Sequence, residues 1–176
     1  DTSTTDVNAK ISALKRAVAN GLKSGGMSGV DVLCDADLFD ALQGHSSMKS
    51  YWLQGDNSSA RYRDELAQYT QWGVQEMFEH KGVRFLCYNP TFNLPGGTTE
   101  NFLASKRAIA MPRGTPGLFR SYFGPTNKLS EVGAPGQEMY LRTYMDPRDE
   151  FVDFELEMAP LHFCTQPASL VELITG

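Results

Sequence analysis

The sequence is poor in the residues that most often carry catalysis. It holds three histidines and three cysteines among 176 residues. It contains no G-x-S-x-G, C-x-x-C or H-E-x-x-H, and no P-loop lysine follows the glycine-rich Gly96-Gly97-Thr98-Thr99. The usual signatures of serine hydrolases, dithiol chemistry, zinc proteases and nucleotide hydrolases are therefore missing. The cysteines, Cys34, Cys87 and Cys164, are odd in number and widely spaced in strand-like contexts, which excludes a disulfide framework and predicts free thiols. No apolar run approaches the ~20 residues of a membrane-spanning helix, and no basic, apolar, small-residue order of a signal peptide occurs. Basic residues are also scarce. Sixteen Lys and Arg stand against twenty-one Asp and Glu, and the densest pairs, Lys15-Arg16 and Lys106-Arg107, are isolated. A surface that grips nucleic-acid backbone needs clustered positive charge, so that class is excluded.

What is present reads as an α+β chain. Val7, Ile11, Leu14, Val18 and Leu22 recur at spacings of three and four. This predicts a helix over 5–24 with one apolar stripe, about 30 Å long. Thr5 or Asp6 can cap its start, and Gly25-Gly26 supplies a left-handed stop. A strand at 30–34 is followed by a short helix that Asp35 or Asp37 caps and Gly44 ends. Residues 46–72 show only weak periodicity. Residues 74–79 and 83–88 predict a hairpin around Lys81-Gly82, residues 89–97 a loop, and 106–111 a further strand. Two alternating runs, 138–145 and 151–158, flank Asp146-Pro147-Arg148-Asp149-Glu150 and read as a long hairpin with an acidic, proline-bearing turn. Residues 161–164 and 170–174 are short strands split by Gln166-Pro167.

Few residues offer chemistry. Asp31, Asp35, Asp37 and Asp40 crowd one strand-to-helix junction, and carboxylates so placed can hold a divalent cation or act as acid and base. A metal-dependent hydrolase using these aspartates is the alternative reading. Against it, Asp35 and Asp37 already serve as helix caps. His162 and Cys164 share one face of a strand but have no second ligand pair, and His45 and His80, beside glycine turns, read as solvated loop residues. Asp146, Asp149, Glu150 and Asp153 lack the spacing of a calcium loop. No catalytic, cofactor or metal residue is assigned.

The order of motifs in the second half is more distinctive. Ile109-Ala110-Met111-Pro112-Arg113-Gly114-Thr115 is followed by Phe123-Gly124-Pro125-Thr126, Gly133-Ala134-Pro135-Gly136 and Tyr140. Met158-Ala159-Pro160-Leu161 and Gln166-Pro167-Ala168-Ser169-Leu170-Val171 complete the series, and Phe39-Asp40-Ala41-Leu42 with His45 precedes it. In this order the chain resembles the lambda-type major capsid proteins of tailed phages and prophages. The resemblance implies the α+β capsid fold named after phage Hong Kong 97. It also implies a peripheral-domain portion at 1–28 and 137–159, made of a spine helix and long β-hairpin, and an axial domain at 30–136 and 160–176. The amino-terminal arm and extended loop are expected to lie outside this chain, which begins with Asp1 rather than methionine.

The function implied is a non-enzymatic shell subunit that self-assembles into pentamers and hexamers around DNA. Its place is the virion capsid, after the host cytoplasm. Its partners would be copies of itself, scaffold or decoration proteins, and packaged DNA held without sequence-specific contacts; no cofactor and no membrane are implied. On this reading the prolines and glycines of 112–125 fix loop shape with little entropy left to lose. The subunit-contact candidates are Phe119 and Tyr122 beside those loops, and Asp146, Arg148, Asp149 and Glu150 at the hairpin tip.

Overall fold

A computed structural model of the chain describes residues 6–23, 25–46, 48, 69–70, 72–148 and 150–174. The elements run α1 (Val7–Leu22), β1 (Gly29–Cys34), α2 (Ala36–Gly44), β2 (Val74–His80), β3 (Val83–Tyr88), β4 (Thr91–Asn93), β5 (Thr99–Asn101), β6 (Arg107–Arg113), β7 (Phe119–Phe123), β8 (Tyr140–Met145), β9 (Val152–Glu157), β10 (Pro160–Cys164) and β11 (Val171–Ile174). Short 3-10 turns occupy Leu129–Glu131 and Pro167–Ser169. The chain is α+β, as the sequence predicts. Most of 46–72 lies outside the described residues. No helix among those described is long and apolar enough to cross a membrane.

Two compact units divide the chain, 1–115 with 166–176 and 116–165.

In the first unit a mixed five-stranded sheet has the order β11-β6-β1-β3-β2. Strands β1 and β3 are parallel, and the other pairs are antiparallel. Alternation decides the faces. Val30, Val32 and Cys34 of β1, Val83, Phe85 and Cys87 of β3, and Ala108 and Ala110 of β6 point to one side. There they meet Val7, Ile11, Leu14 and Val18 of α1, together with Leu38 and Phe39 of α2. Phe78 stacks on Phe85 with centroids 4.8 Å apart and meets Phe39 at 5.1 Å. Pro112, which has no N–H to give a ladder, sits past the end of β11, which pairs only with 107–110.

Local chemistry explains the ends of the elements, with three corrections. Asp6 caps α1 by accepting from the Ala9 N–H, and Asp35 caps α2. The left-handed residue after α1 is Lys23, with φ 55°, not Gly25 or Gly26. The two-residue turn Lys81-Gly82 has positive φ at both positions, the geometry that matches the twist of a hairpin. Part of the expected loop at 89–97 is instead strand β4, paired with β5. The third correction is His80. It is the last residue of β2 and is buried, with Nε2 2.7 Å from Asn8 Oδ1 on α1.

Burial, and secondarily the charge of Lys81, lower the pKa of His80. The folded-state value therefore lies below the unfolded value of ~6.5. The neutral contact contributes fully above that pH. Its contribution falls as the pH drops below ~6.5, because the unfolded chain takes up the proton first. Between pH 7.5 and 5.5, urea midpoints are expected to fall more for the native chain than for His80→Gln. Equal slopes would remove His80 as the cause.

Sequence separation hides one proximity among the cysteines. Cys34 and Cys87 are register partners across β1 and β3, both buried and both free. Burial pushes the Cys34 thiol up to about 12, with Cys87 and Asp35 adding to the shift, and also raises Cys87. Thiolate is the reactive form. Labelling of the native chain is therefore expected to reach half-buried Cys164 first, with three thiols titrating only after denaturation. Early labelling of Cys34 would contradict this.

Candidate interaction surface

The aspartates around 31–40 do not converge. Asp31 lies on the sheet face opposite α1, where its carboxylate is 3.3 Å from Arg113 Nη1. Burial raises its pKa, against the pull of Arg113 and Arg84. Asp35 accepts from the backbone N–H groups of Asp37 and Lys106, at 3.2 and 3.1 Å. Asp37 accepts from Ser105 Oγ at 2.6 Å, and Asp40 is exposed on α2. Each of the first three is engaged by a different partner, as structural carboxylates are. No group of three or more His, Cys, Asp and Glu suited to a metal ion occurs among the described residues. His162 and Cys164 do share one face of β10, where His162 Nδ1 lies 2.7 Å from Ser121 Oγ across the ladder.

The second unit holds most of the large hydrophobic side chains exposed among the described residues. Two antiparallel ladders build it, β7 with β10 and β8 with β9. Phe119 and Tyr122, expected beside the loops of 112–125, lie on strand β7. Positive φ at Gly114 and Gly117 makes the approach to that strand. Being three residues apart, Phe119 and Tyr122 lie on opposite faces of the ladder. Tyr122 stacks on Phe163 with centroids 5.4 Å apart and planes 11° from parallel, while Phe119 stands opposite Cys164.

The β8–β9 hairpin has two unlike faces. In its register Tyr140 pairs with Glu157, Arg142 with Glu155 and Tyr144 with Asp153. This polar face is tied to the preceding loop. Arg142 Nη2 donates to Thr126 Oγ1 at 2.9 Å and lies 3.4 Å from Glu131. The Asn127 N–H donates to Glu157 at 3.0 Å. Glu155 receives Lys128 Nζ and Tyr144 OH, each at 2.9 Å. The Lys128 bond, followed by that of Tyr144, lowers the Glu155 pKa, and the same contact raises that of Lys128. Tyr140 OH donates to Pro135 O and accepts from the Gln137 N–H.

The other face carries Leu141 opposite Leu156, Thr143 opposite Phe154 and Met145 opposite Val152, continued by Met139 and Met158. Every one of these side chains is exposed, Phe154 by 70%. At the tip Asp146 accepts from the Arg148 N–H at 3.0 Å, and its own N–H donates to Phe151 O. Arg148 and Glu150 are exposed, and Asp149 lies outside the described residues. The contact candidates thus sit on separate ladders. The larger surface, the face from Met139 to Met158, was not among them. Its alternation is plain in the sequence, but only the register shows that both strands turn their apolar sets to one side.

Comparison with known proteins gives a consistent result. Residues 1–175 match the family model described as phage major capsid protein E. The chain is 25% identical over 175 residues to the major capsid protein of Pseudomonas phage KPP10, covering 98% of this chain and 50% of that one. It is also 25% identical over 193 residues to the major capsid protein of Salmonella phage Felix O1 (isolate Felix O1-VT1), covering 98% and 52%. The chain therefore spans about half the length of the curated relatives it matches. Among solved structures, one described as a prophage capsid protein (E. coli CFT073) superposes with a TM-score of 0.68 at 15% identity. That match covers 100% of this chain and 49% of the other.

Proposed function

Because the chain belongs to the phage major capsid protein E family, we propose that it forms pentamers and hexamers of an icosahedral shell enclosing phage or prophage DNA. A major capsid protein is a structural shell subunit. The reading of this chain as one without enzymatic activity is supported by Asp31, Asp35 and Asp37, each held in a different structural contact. The observation that carries the assembly role is the exposed apolar face of the β8–β9 hairpin, larger than the roughly 300–600 Å² of the largest apolar patch on a typical soluble monomer. The net charge of −5 suits a wall against which DNA packs without sticking. The subunit would pass from the host cytoplasm into the virion capsid, with scaffold or decoration proteins as further partners. On this reading residues 1–28 and 137–159, with the spine helix α1 and the β8–β9 hairpin, form the peripheral portion, and residues 30–136 and 160–176 form the axial domain. Electron microscopy of the full-length protein is expected to show closed shells; dispersed subunits under all assembly conditions would overturn the reading.

The tip of the hairpin is a contact between subunits in this proposal, with Arg148 of one copy meeting Asp149 or Glu150 of the next. Exposed pairs contribute only ~0.2–1 kcal/mol each, but a closed shell repeats them at every equivalent site. Arg148→Glu is expected to leave the stability of the isolated chain within about 0.5 kcal/mol. In the full-length protein it is expected to reduce shell yield strongly. Normal yield would make the tip a solvated turn.

A further inference from the structure

We propose that the apolar face of the β8–β9 hairpin docks a second copy of this chain, the same face against the same face. The face carries no charged residue. Its rungs are Leu141 with Leu156, Thr143 with Phe154 and Met145 with Val152, with Met139 and Met158 just beyond the paired strands. Seven of these eight side chains are apolar, and exposures from 45% at Val152 to 72% at Met145 leave them in water. Together they present on the order of 800 Å², about what one partner brings to a standard-size protein interface. Both strands contribute apolar groups along the whole length. Two copies related by a two-fold axis lying in the contact plane therefore each offer the other the same uncharged, largely apolar patch, as an isologous contact requires. The opposite face cannot compete for this role, because Arg142, Glu155 and Glu157 are already engaged by Thr126, Lys128 and Asn127.

Thr143 fixes the test. It stands at the middle of the face, opposite Phe154, and is the one polar member. A charge placed there removes no apolar group, yet is buried without a partner if two faces meet. The inference takes from the shell reading only that copies of this chain meet.

Sedimentation equilibrium of the 176-residue chain is the experiment, at micromolar concentrations in low and high salt. A dimer is expected, insensitive to salt because no charge lies in the contact. Thr143→Arg and Phe154→Glu are each expected to weaken it at least tenfold. Asp153→Lys, on the other face, is expected to leave it unchanged. Circular dichroism checks folding, and should Phe154→Glu fail to fold, Thr143→Arg decides alone. A monomer at all concentrations, a dimer that survives Thr143→Arg, or open-ended growth with concentration would each overturn the proposal. Shells formed by the full-length protein beside a monomeric 176-residue chain would sink this inference and leave the shell reading standing. A dimer with no shells from the full-length protein would do the reverse.

Discussion

Gly21→Ala is expected to destabilise the first unit by about 3 kcal/mol or more, at or beyond the top of the usual overpacking range. On propensity alone the change would stabilise α1 by roughly 0.5–1 kcal/mol, since glycine is a poor helix former. The packing decides otherwise. A Cβ at position 21 falls 2.0 Å from the carbonyl oxygen of Ala168, 2.5 Å from its carbonyl carbon and 2.6 Å from Ser169 Cα. All three are backbone atoms of the 3-10 turn Pro167–Ser169, so no side chain can swing aside. Relief requires α1 to lift or the turn to move. Either shift opens the core around Val18 and Leu22, which are 0% and 1% exposed. The turn also leads directly into edge strand β11 and its ladder with β6. At a slope of about 2 kcal/mol per molar urea, the midpoint should fall by roughly 1.5 M. An unchanged midpoint would mean that helix and turn part without loss.

Gly136→Ala is the counterpart in the second unit, and its readout differs. The added Cβ would lie 1.7 Å from Phe123 O and 2.6 Å from the Gly124 carbonyl carbon, again backbone atoms. Residue 136 belongs to the loop whose Pro135 and Gln137 hold the hydroxyl of Tyr140. Displacing it would unseat the loop from β7 and disturb the buried Tyr140 at the start of β8. The expected cost is about 2–3 kcal/mol, with increased amide exchange at 134–142. The sheet of the first unit should keep its protection. In the full-length protein, shell yield should fall severely. Wild-type exchange at 134–142 would show that the loop yields without losing its seat.

The elements made by a local rule were legible in the sequence. The stripe from Val7 to Leu22 placed α1 to within two residues, Asp35 announced α2, and the pair Lys81-Gly82 announced a two-residue hairpin turn. Alternation on both sides of Asp146-Pro147 located β8 and β9. What escaped depended on contacts distant along the chain. Strand β7 reads as loop because its flanking glycines and prolines dominate a local window. Its strand conformation comes from pairing with β10, some forty residues on. His80 reads as a solvated turn residue because nothing nearby in sequence shows that Asn8 of α1 will cover it. The tip residues drew notice as a contact because their charges are conspicuous. The face beside them passed as half a hairpin, since alternation marks one buried side and does not reveal that the apolar side is the one left in water.

The clamp on the other side of that hairpin has a kinetic consequence. With Arg142, Glu155 and Glu157 held by Thr126, Lys128 and Asn127, the ribbon is ordered before any partner arrives. Association then does not have to fold the surface it uses, and the entropy of ordering is already met within the subunit. The encounter should behave as rigid docking, with a single concentration-dependent phase and no slow isomerisation. Differences among variants of the apolar face should appear mainly in how long the complex lasts. Variants of the clamp, such as Lys128→Met, should instead slow its formation, because a loosened ribbon must be ordered at each meeting.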